Sequence, residues 1–388
     1  MGSRRWRGRF TRSWSTRPMR AAATAPATAR RSAIGPSLTR ATVVLGGGAI
    51  LALAALVVAV ATGSVGVGIG DTVAILGHRL LGLPLAHTWA PWMEQVIFDV
   101  RLPRVLTAML VGGGLAMAGT VFQALLRNPM ADPYIIGTAA GASLGAIAGL
   151  MAPILLPALA IGVGSSWLGL GLVQVLAFAG GLGTVLLVYS VSRANGRVPV
   201  VTLLLTGYAV SSVLAAGVAL LMFFSGQRLG AIFGWLMGSL AGAKWTNLAF
   251  AAPLLVIGAL LLIVRWRGLN LLLLGDGAAA HLGMNVEREK LVLTMLATLA
   301  TSTVVAISGT IGFVGLVVPH VLRLAIGPDH RLLLPASVLY GATLLALADL
   351  GARLAGGIPV GIVTALIGAP FFIWLLRRSR LAWPVVTP

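Results

Sequence analysis

The sequence predicts an all-α fold, that of a polytopic membrane protein with about ten transmembrane helices. Of its 388 residues, 58% are hydrophobic and 10% are charged, whereas a soluble domain carries about 25% charged residues. No single soluble core could bury this much apolar surface, so lipid must be the solvent of many side chains. Because one span needs about 20 apolar residues, the chain has room for roughly ten spans joined by short loops.

Ten apolar runs can be placed along the chain. They lie near 43–63, 104–126, 134–152, 168–191, 200–224, 247–265, 291–308, 311–326, 332–352 and 359–376. The positive-inside rule places the Arg-rich N-terminus in the cytoplasm, and the cytoplasmic loops and tails then hold 22 of the 28 Lys and Arg residues. An even number of spans also returns Arg377, Arg378 and Arg380 to the cytoplasm. We therefore expect ten spans with both termini cytoplasmic.

Residues 1–40 form a separate basic segment. A net charge of +19 would suit a nucleic-acid partner, but ten Arg lie before residue 41 and the first acidic residue is Asp71. We predict a disordered cytoplasmic tail and no nucleic-acid partner, with anionic-lipid or nucleic-acid binding as the alternative. A cleaved signal peptide is disfavoured because its basic region would be too long. The transmembrane domain then covers residues 41–380, and 381–388 form a C-terminal tail.

The stretch from Arg101 to Gly149 predicts a transport function. It has an Arg pair at the mouth of an apolar helix and a polar, Pro-containing break from Asn128 to Pro133 between two apolar runs. Irregular backbone at membrane depth is tolerated only where protein or a water-filled cavity surrounds it. The glycines that follow repeat every four residues, which favours close helix packing, with the lining of a pore as the alternative. They are Gly137, Gly141, Gly145 and Gly149.

The longest predicted cytoplasmic loop runs from Arg265 to Lys290. Its apolar parts, residues 269–274 and 278–282, are too short to cross a bilayer. We expect a pair of short amphipathic helices that lie flat at the surface. They either present side chains to a partner protein or rest on the lipid headgroups, and the residues alone do not decide between these roles. The side chains presented would be Leu271, Leu274, His281 and Met284.

Two polar groups lie within predicted spans. Asp349 and Arg353 are four residues apart on one helix, so they can pair and lower each other's burial cost. We favour this internal neutralisation over a proton relay. His320 follows Pro319 in an apolar run, and without an acidic neighbour in sequence it makes a poor proton pathway.

Catalytic and cofactor motifs are missing from the sequence. A phosphate-binding P-loop needs a Lys after Gly, but the only lysines, Lys244 and Lys290, follow Ala and Glu. There is no Cys, no metal-ligand cluster and no nucleophile elbow. We therefore expect no catalytic residues, no metal and no cofactor in this chain. Its energy must come from a separate ATPase or from an ion gradient.

Several segments together resemble the FecCD-type permeases, the membrane subunits of bacterial ABC importers for iron–siderophores, haem and vitamin B12. The similar segments are RLPR with the GxxLAxAGxxFQxLxRNPxADPxxxGxxxGA run, LGDGAAAHLGMNV, GTIGFVGLVVPHVLRL, DHRLLLPAS and IPVGIVTALIGAPFFIWLL. They cover roughly residues 43–380. The resemblance implies the type II ABC importer permease fold. In this family two ten-helix subunits form the path, two ATPases bind inside and a binding protein docks outside.

The resemblance also implies roles for individual residues. Arg101, Arg104 and Arg353 match arginines that receive acidic residues of the binding protein, so Arg353 has Asp349 and an external carboxylate as competing partners. Asn128, Pro129 and Met130 match a loop that constricts the cytoplasmic end of the path, and Pro199 with Val200 matches a second part of that gate. The vitamin B12 importer has small hydroxyl residues at these last two positions, which argues against B12 as the substrate.

The loop from Leu269 to Val286 matches the coupling helices that sit in a groove of the ATPase, and this favours the partner-contact interpretation. The predicted contact residues are Leu271, Leu274, Gly275, Asp276, Ala279, His281, Leu282 and Gly283.

The sequence therefore predicts the permease subunit of an ABC importer in a bacterial inner membrane, specific for a ferric siderophore. We expect it to work as a homodimer or with a paralogue, and its partner ATPase to use the ATP. The same machinery importing haem or vitamin B12 is the nearest alternative. A gradient-driven secondary transporter and a structural scaffold are further alternatives.

Overall fold

The computed structural model describes residues 38–63, 65–85, 89–155, 171–194 and 196–382. These residues form helices and irregular connections, and no β-strand occurs among them. The predicted basic tail lies outside the described residues up to position 37, and so do residues 383–388 of the C-terminal tail. The helices are α1 Leu38–Ala61, α2 Ile69–Leu81, α3 Pro91–Gln95, a π-helical segment Val96–Arg101, α4 Leu102–Leu125, α5 Thr138–Leu155, α6 Leu172–Ser192, α7 Val200–Phe223, a 3₁₀ turn Gly226–Arg228, α8 Leu229–Leu236, α9 Trp245–Val264, α10 Trp266–Leu273, α11 Asp276–His281, α12 Val286–Ser308, α13 Val314–Ile326, α14 His330–Leu354 and α15 Val360–Ala382.

The predicted apolar runs all correspond to helices. Within the described ranges, seven helical segments are long and apolar enough to cross a membrane: α1, α3 to α4 as one segment, α6, α7, α9, α12 and α14. The remaining three runs form the shorter apolar helices α5, α13 and α15. The predicted all-α membrane fold is therefore confirmed.

Helix α4 is the central helix of the bundle and packs against α9, α12, α13 and α14. It is apolar on all sides and is buried along almost its whole length, as expected for a helix surrounded by others. Glycines let its backbone approach two neighbours. A Cβ at Gly112 would collide with the carbonyl of Gly341 in α14, and a Cβ at Gly119 would collide with the carbonyl of Gly315 in α13.

The predicted glycine repeat packs α5 against α6. A Cβ at Gly141 would collide with Thr184 and with the carbonyl of Gly180, and a Cβ at Gly145 would collide with the carbonyl of Leu176. Gly149 lies on the same face, where its Cβ would come within 2.9 Å of the backbone of α6. The close-packing interpretation is thus confirmed for these three glycines.

The Gly145→Ala variant should lower the apparent Tm of the purified protein in detergent, because overpacking a tight contact costs about 1–3 kcal/mol. Gly183→Ala is the matched control, since a Cβ there meets nothing within 4 Å. It should leave the Tm unchanged or raise it, because Ala is the better helix former. Equal Tm values for the two variants would show that the α5–α6 contact does not depend on glycine.

Candidate functional site

Arg101, Arg104, Asp349 and Arg353 form one group, the arginine cluster, where α1 ends, α4 begins and α14 ends. The Asp349 carboxylate is 1% exposed and lies between two guanidinium groups. Arg104 donates from Nε to both carboxylate oxygens at 3.1 Å and from Nη2 to Oδ1 at 2.9 Å. Arg353 Nε lies 3.2 Å from Oδ2. The predicted pairing of Asp349 with Arg353 is confirmed, and Arg104 is a second partner that sequence analysis missed.

The remaining donors of the arginine cluster hold the carboxyl end of α1. The last carbonyls of a helix have no partner within it, and cations are favoured at this end by the helix dipole. Arg101 is only 5% exposed. It donates to the carbonyls of Val60 at 3.0 Å, Ala61 at 2.8 Å and Val65, and Arg353 donates to those of Ala59 at 2.8 Å and Thr62 at 3.1 Å.

At the opposite end of α4, the predicted gate segment forms a tight turn. The Asn128 Oδ1 accepts a hydrogen bond from the backbone N–H of Met130 at 2.9 Å. Arg127, just before it, has a φ of 47°, a left-handed conformation that is uncommon for a side chain of this size. Asn128 and Pro129 are exposed and Met130 is half-buried. The turn therefore lies at the surface of the chain, at this end of the bundle.

The irregular segment between α4 and α5 continues inward from this turn. It is hydrogen-bonded to a second irregular segment, which joins α12 to α13. The Tyr134 hydroxyl donates to the carbonyl of Ile311 at 3.1 Å and accepts from its backbone N–H at 3.3 Å. Further along, a Cβ at Gly207 of α7 would come within 3.1 Å of the backbone of Ile136. Since Gly207 is seven residues into α7, the break reaches about 10 Å into the bundle. Sequence analysis missed Tyr134, although a Tyr directly after a polar break was a signal.

The second predicted gate segment lies at the start of α7. Pro199 is exposed and Val200 is half-buried. Val200 lines a small cavity together with Phe122 and Leu126, and these two residues belong to the last turns leading out of α4. The two gate segments therefore lie at the same end of the bundle.

The predicted pair of short surface helices corresponds to α10 and α11. They are joined through Gly275, whose φ of 98° favours glycine. Leu274 is 62% exposed and Leu282 is 63% exposed, and His281 and Gly283 are also exposed. These four residues form an outward-facing set, the coupling surface.

The other predicted contact residues contact the rest of the chain instead, although the side chain of Asp276 is still 46% exposed. Ala279 is fully buried, so its methyl group cannot reach a partner and this residue was assigned wrongly. Leu271 is half-buried and packs on the core. The carboxylate of Asp276 accepts from Lys290 Nζ at 2.5 Å, and a Cβ at Gly275 would meet Arg127 at 3.2 Å. Asp276, Leu271 and Ala279 thus hold α10 and α11 in place.

Hydrogen bonds fasten helix α10 to α12 and α14. Asn270 donates to Asp329 at 2.8 Å and accepts from the backbone N–H of His330 at 3.0 Å, at the start of α14. Arg265, just before α10, pairs with Glu289 of α12 at 2.6 Å. These contacts attach α10 to the first turns of α12 and α14.

No group of three or more His or carboxylate side chains is placed to hold a metal in the part of the chain that the structure describes.

Comparison with known proteins identifies the family of this architecture. The model of the FecCD transport family matches residues 50–378. The chain belongs to the FecCD family. The cobalamin import system permease of Halobacterium salinarum is 43% identical over 74% of this chain and 75% of its own length. The hemin transport system permease of Yersinia pestis is 42% identical over 74% of this chain and 85% of its own length.

A solved structure agrees with this assignment. It is described as an inward-facing conformation of a metal-chelate type ABC transporter, with a TM-score of 0.71 and 34% sequence identity. The match covers 86% of this chain and 99% of that one. The protein is therefore a multi-pass ABC importer permease of the FecCD type.

Proposed function

We propose that this FecCD permease carries a ferric siderophore across a bacterial inner membrane, with both of its termini in the cytoplasm. The observation that supports this best is the arrangement of α4, which runs from the arginine cluster at one end to the gate turn at the other. The relatives named for hemin and cobalamin, and the metal-chelate transporter, support a bulky metal chelate as the substrate. The same two relatives make haem and cobalamin the second candidates.

We propose that ATP is hydrolysed by a separate ATPase that binds the coupling surface. The exposed Leu274 and Leu282 lie at the end of the bundle that also carries Arg265 and Lys290. They suit a protein partner, because exposed apolar patches mark interaction sites. A gradient-driven mechanism receives less support from the geometry. Asp349, the carboxylate that the sequence offered for a proton relay, is held by two arginines and is not placed to relay protons.

The double variant Leu274→Ala, Leu282→Ala should weaken ATPase binding. Loss of two apolar contacts costs about 2 kcal/mol, or about 30-fold in affinity. The matched control is Leu80→Ala, Leu81→Ala on α2, where the two leucines are 61% and 74% exposed. Binding of the purified ATPase and ATP-dependent uptake should fall together in the first variant only. Undiminished binding, or uptake driven by a proton gradient without the ATPase, would contradict the proposal.

The arginine cluster is proposed to dock an extracytoplasmic binding protein through acidic side chains. Arg104 and Arg353 share one carboxylate, so the cluster keeps excess positive charge even with Asp349 ionised. Charge complementarity of this kind sets the register and the association rate of a repeatedly visiting partner. In this interpretation Asp349 competes with the carboxylates of the partner, and the buried Arg101 acts by holding α1.

The Asp349→Asn variant separates these roles. It should lower the Tm, because removing one partner of a buried ion pair costs about 3–5 kcal/mol, and it should raise the association rate of the binding protein several-fold at low salt. Glu94→Gln is the control, since Glu94 pairs with an exposed Arg79 at 3.5 Å, and it should change neither quantity. A folded Asp349→Asn protein with unchanged or slower docking would leave the cluster a purely structural role.

Helix α7 is proposed to face the transport path and a second permease subunit, whether identical or paralogous. Its only buried residues are Leu203 and Gly207, and Tyr208 is 75% exposed. A phenol in the middle part of an exposed span suits a protein or water neighbour better than lipid tails. Val200 at the start of α7 and Met130 in the turn after α4, at the same end of the bundle, would then close the path.

The gate and the substrate can be tested together in this naturally Cys-free chain. Crosslinking of Met130→Cys and Val200→Cys in the assembled importer should abolish ATP-dependent uptake of a labelled ferric siderophore. A Leu80→Cys, Leu81→Cys pair on α2 controls for the reagent. Hemin and cobalamin are offered in parallel, and faster uptake of either would replace the siderophore as the substrate. Full uptake by completely crosslinked protein would remove both residues from the path.

A further inference from the structure

An apolar groove lies between α1 and α9, away from the gate turn and the coupling surface. Its volume is about 660 Å³, its floor includes Gly113 and Gly114 of α4, and its walls include Leu53 of α1 and Val256 of α9. Both wall residues are exposed, so the groove opens sideways, toward the surroundings of the spans. Water is a poor occupant of such a site, because apolar cavities stay dry.

The length and the lining of the groove suit an extended apolar occupant. At 1.5 Å per residue, the lining extends about 16 Å along α4, from Leu106 to Met117, and about 21 Å along α9, from Trp245 to Ala259. Apart from Trp245, which anchors one end, the lining side chains are aliphatic, Met or Gly. A hydrocarbon chain that lies along α4 and α9 matches both this length and this chemistry.

One end of the groove carries groups suited to a lipid headgroup. Trp245 lines the groove there, and its indole N–H donates to the carbonyl of Phe98 at 2.8 Å, which fixes the ring at this end. Lys244 is the adjacent residue and is exposed. Trp at the level of the headgroups and Lys reaching toward them are the usual anchors of a span.

We propose that this groove binds one acyl chain of a bilayer phospholipid, with the phosphate of that lipid at Lys244. A chain entering beside Trp245 passes through one leaflet, about 15 Å deep, and so follows most of the groove. Helices α1 and α9 do not pack on each other across the groove. The methylene groups of the acyl chain would give both helices the dispersion contacts that they do not make with each other. The site is separate from the transport path.

The test uses the full-length protein in nanodiscs of phosphatidylglycerol, with a trace of the same lipid carrying a photoreactive group on its acyl chain. Labelled peptides are mapped by mass spectrometry. Ala252→Phe, Ala259→Phe fills the groove from α9, where both alanines are half-exposed. Ile257→Phe, Leu260→Phe places the same two aromatic side chains at exposed positions of α9 that do not line the groove.

Labelling of residues 53–56 and 106–117 should fall about fivefold or more in the groove variant and stay unchanged in the control. Equal labelling in both would mean ordinary surrounding lipid and would overturn the proposal. Crosslinks between two copies through α1 and α9 would overturn it as well. Because a filled groove could impair folding, native mass spectrometry of the unmodified protein supplies a second readout. One retained phospholipid per chain is expected, and none would count against the site.

The headgroup position is tested with Lys244→Gln. Labelling by the phosphatidylglycerol probe should fall several-fold at low salt. The difference from the unmodified protein should shrink at high salt, because the ionic contact of Lys244 in the unmodified protein is then screened. Unchanged labelling at low salt would overturn the placement of the phosphate at Lys244.

Discussion

The close approach of α4 to α13 and α14 is the constraint on which the rest of this structure depends. In a bilayer no hydrophobic force presses helices together, so association relies on close packing of small residues and on polar contacts. Gly112 against Gly341 and Gly119 against Gly315 supply the packing. Because α4 cannot shift without breaking both contacts, the arginines at its start and the turn after its end keep fixed positions.

Much of the fold was predictable because it follows from local pattern. Ten apolar runs became helices, the glycine repeat became a packing face, and Asp349 met Arg353 because four residues make one helical turn. The contacts that the sequence could not give join distant segments. Arg104 is 245 residues from Asp349, and Tyr134 is 177 residues from Ile311. Only the helix arrangement brings these pairs together.

The coupling helices show where a motif is informative and where it is not. The apolar parts 269–274 and 278–282 predict a pair of short helices, and the structure confirms them as α10 and α11. The break between them at Gly275 was not predicted. Which face points outward depends on how the helices rest on α12 and α14, and the apolar Ala279 proved to be an inward anchor. Asn270 and Arg265 tie α10 to the first turns of α14 and α12. Helix α14 carries Arg353 at its other end. It therefore connects the two ends of the helix bundle.

Helix α1 is attached differently from the central helices, and the groove follows from that. It is apolar throughout and largely exposed, and it packs mainly on α14. What fixes its carboxyl end is hydrogen bonding from Arg101 and Arg353 to its last carbonyls, which are strong contacts because the donors are charged. A helix held firmly at one end and along one neighbour need not close onto α9. Lipid can fill that gap at little cost, whereas water could not, so the groove is a consequence of how the arginine cluster anchors α1.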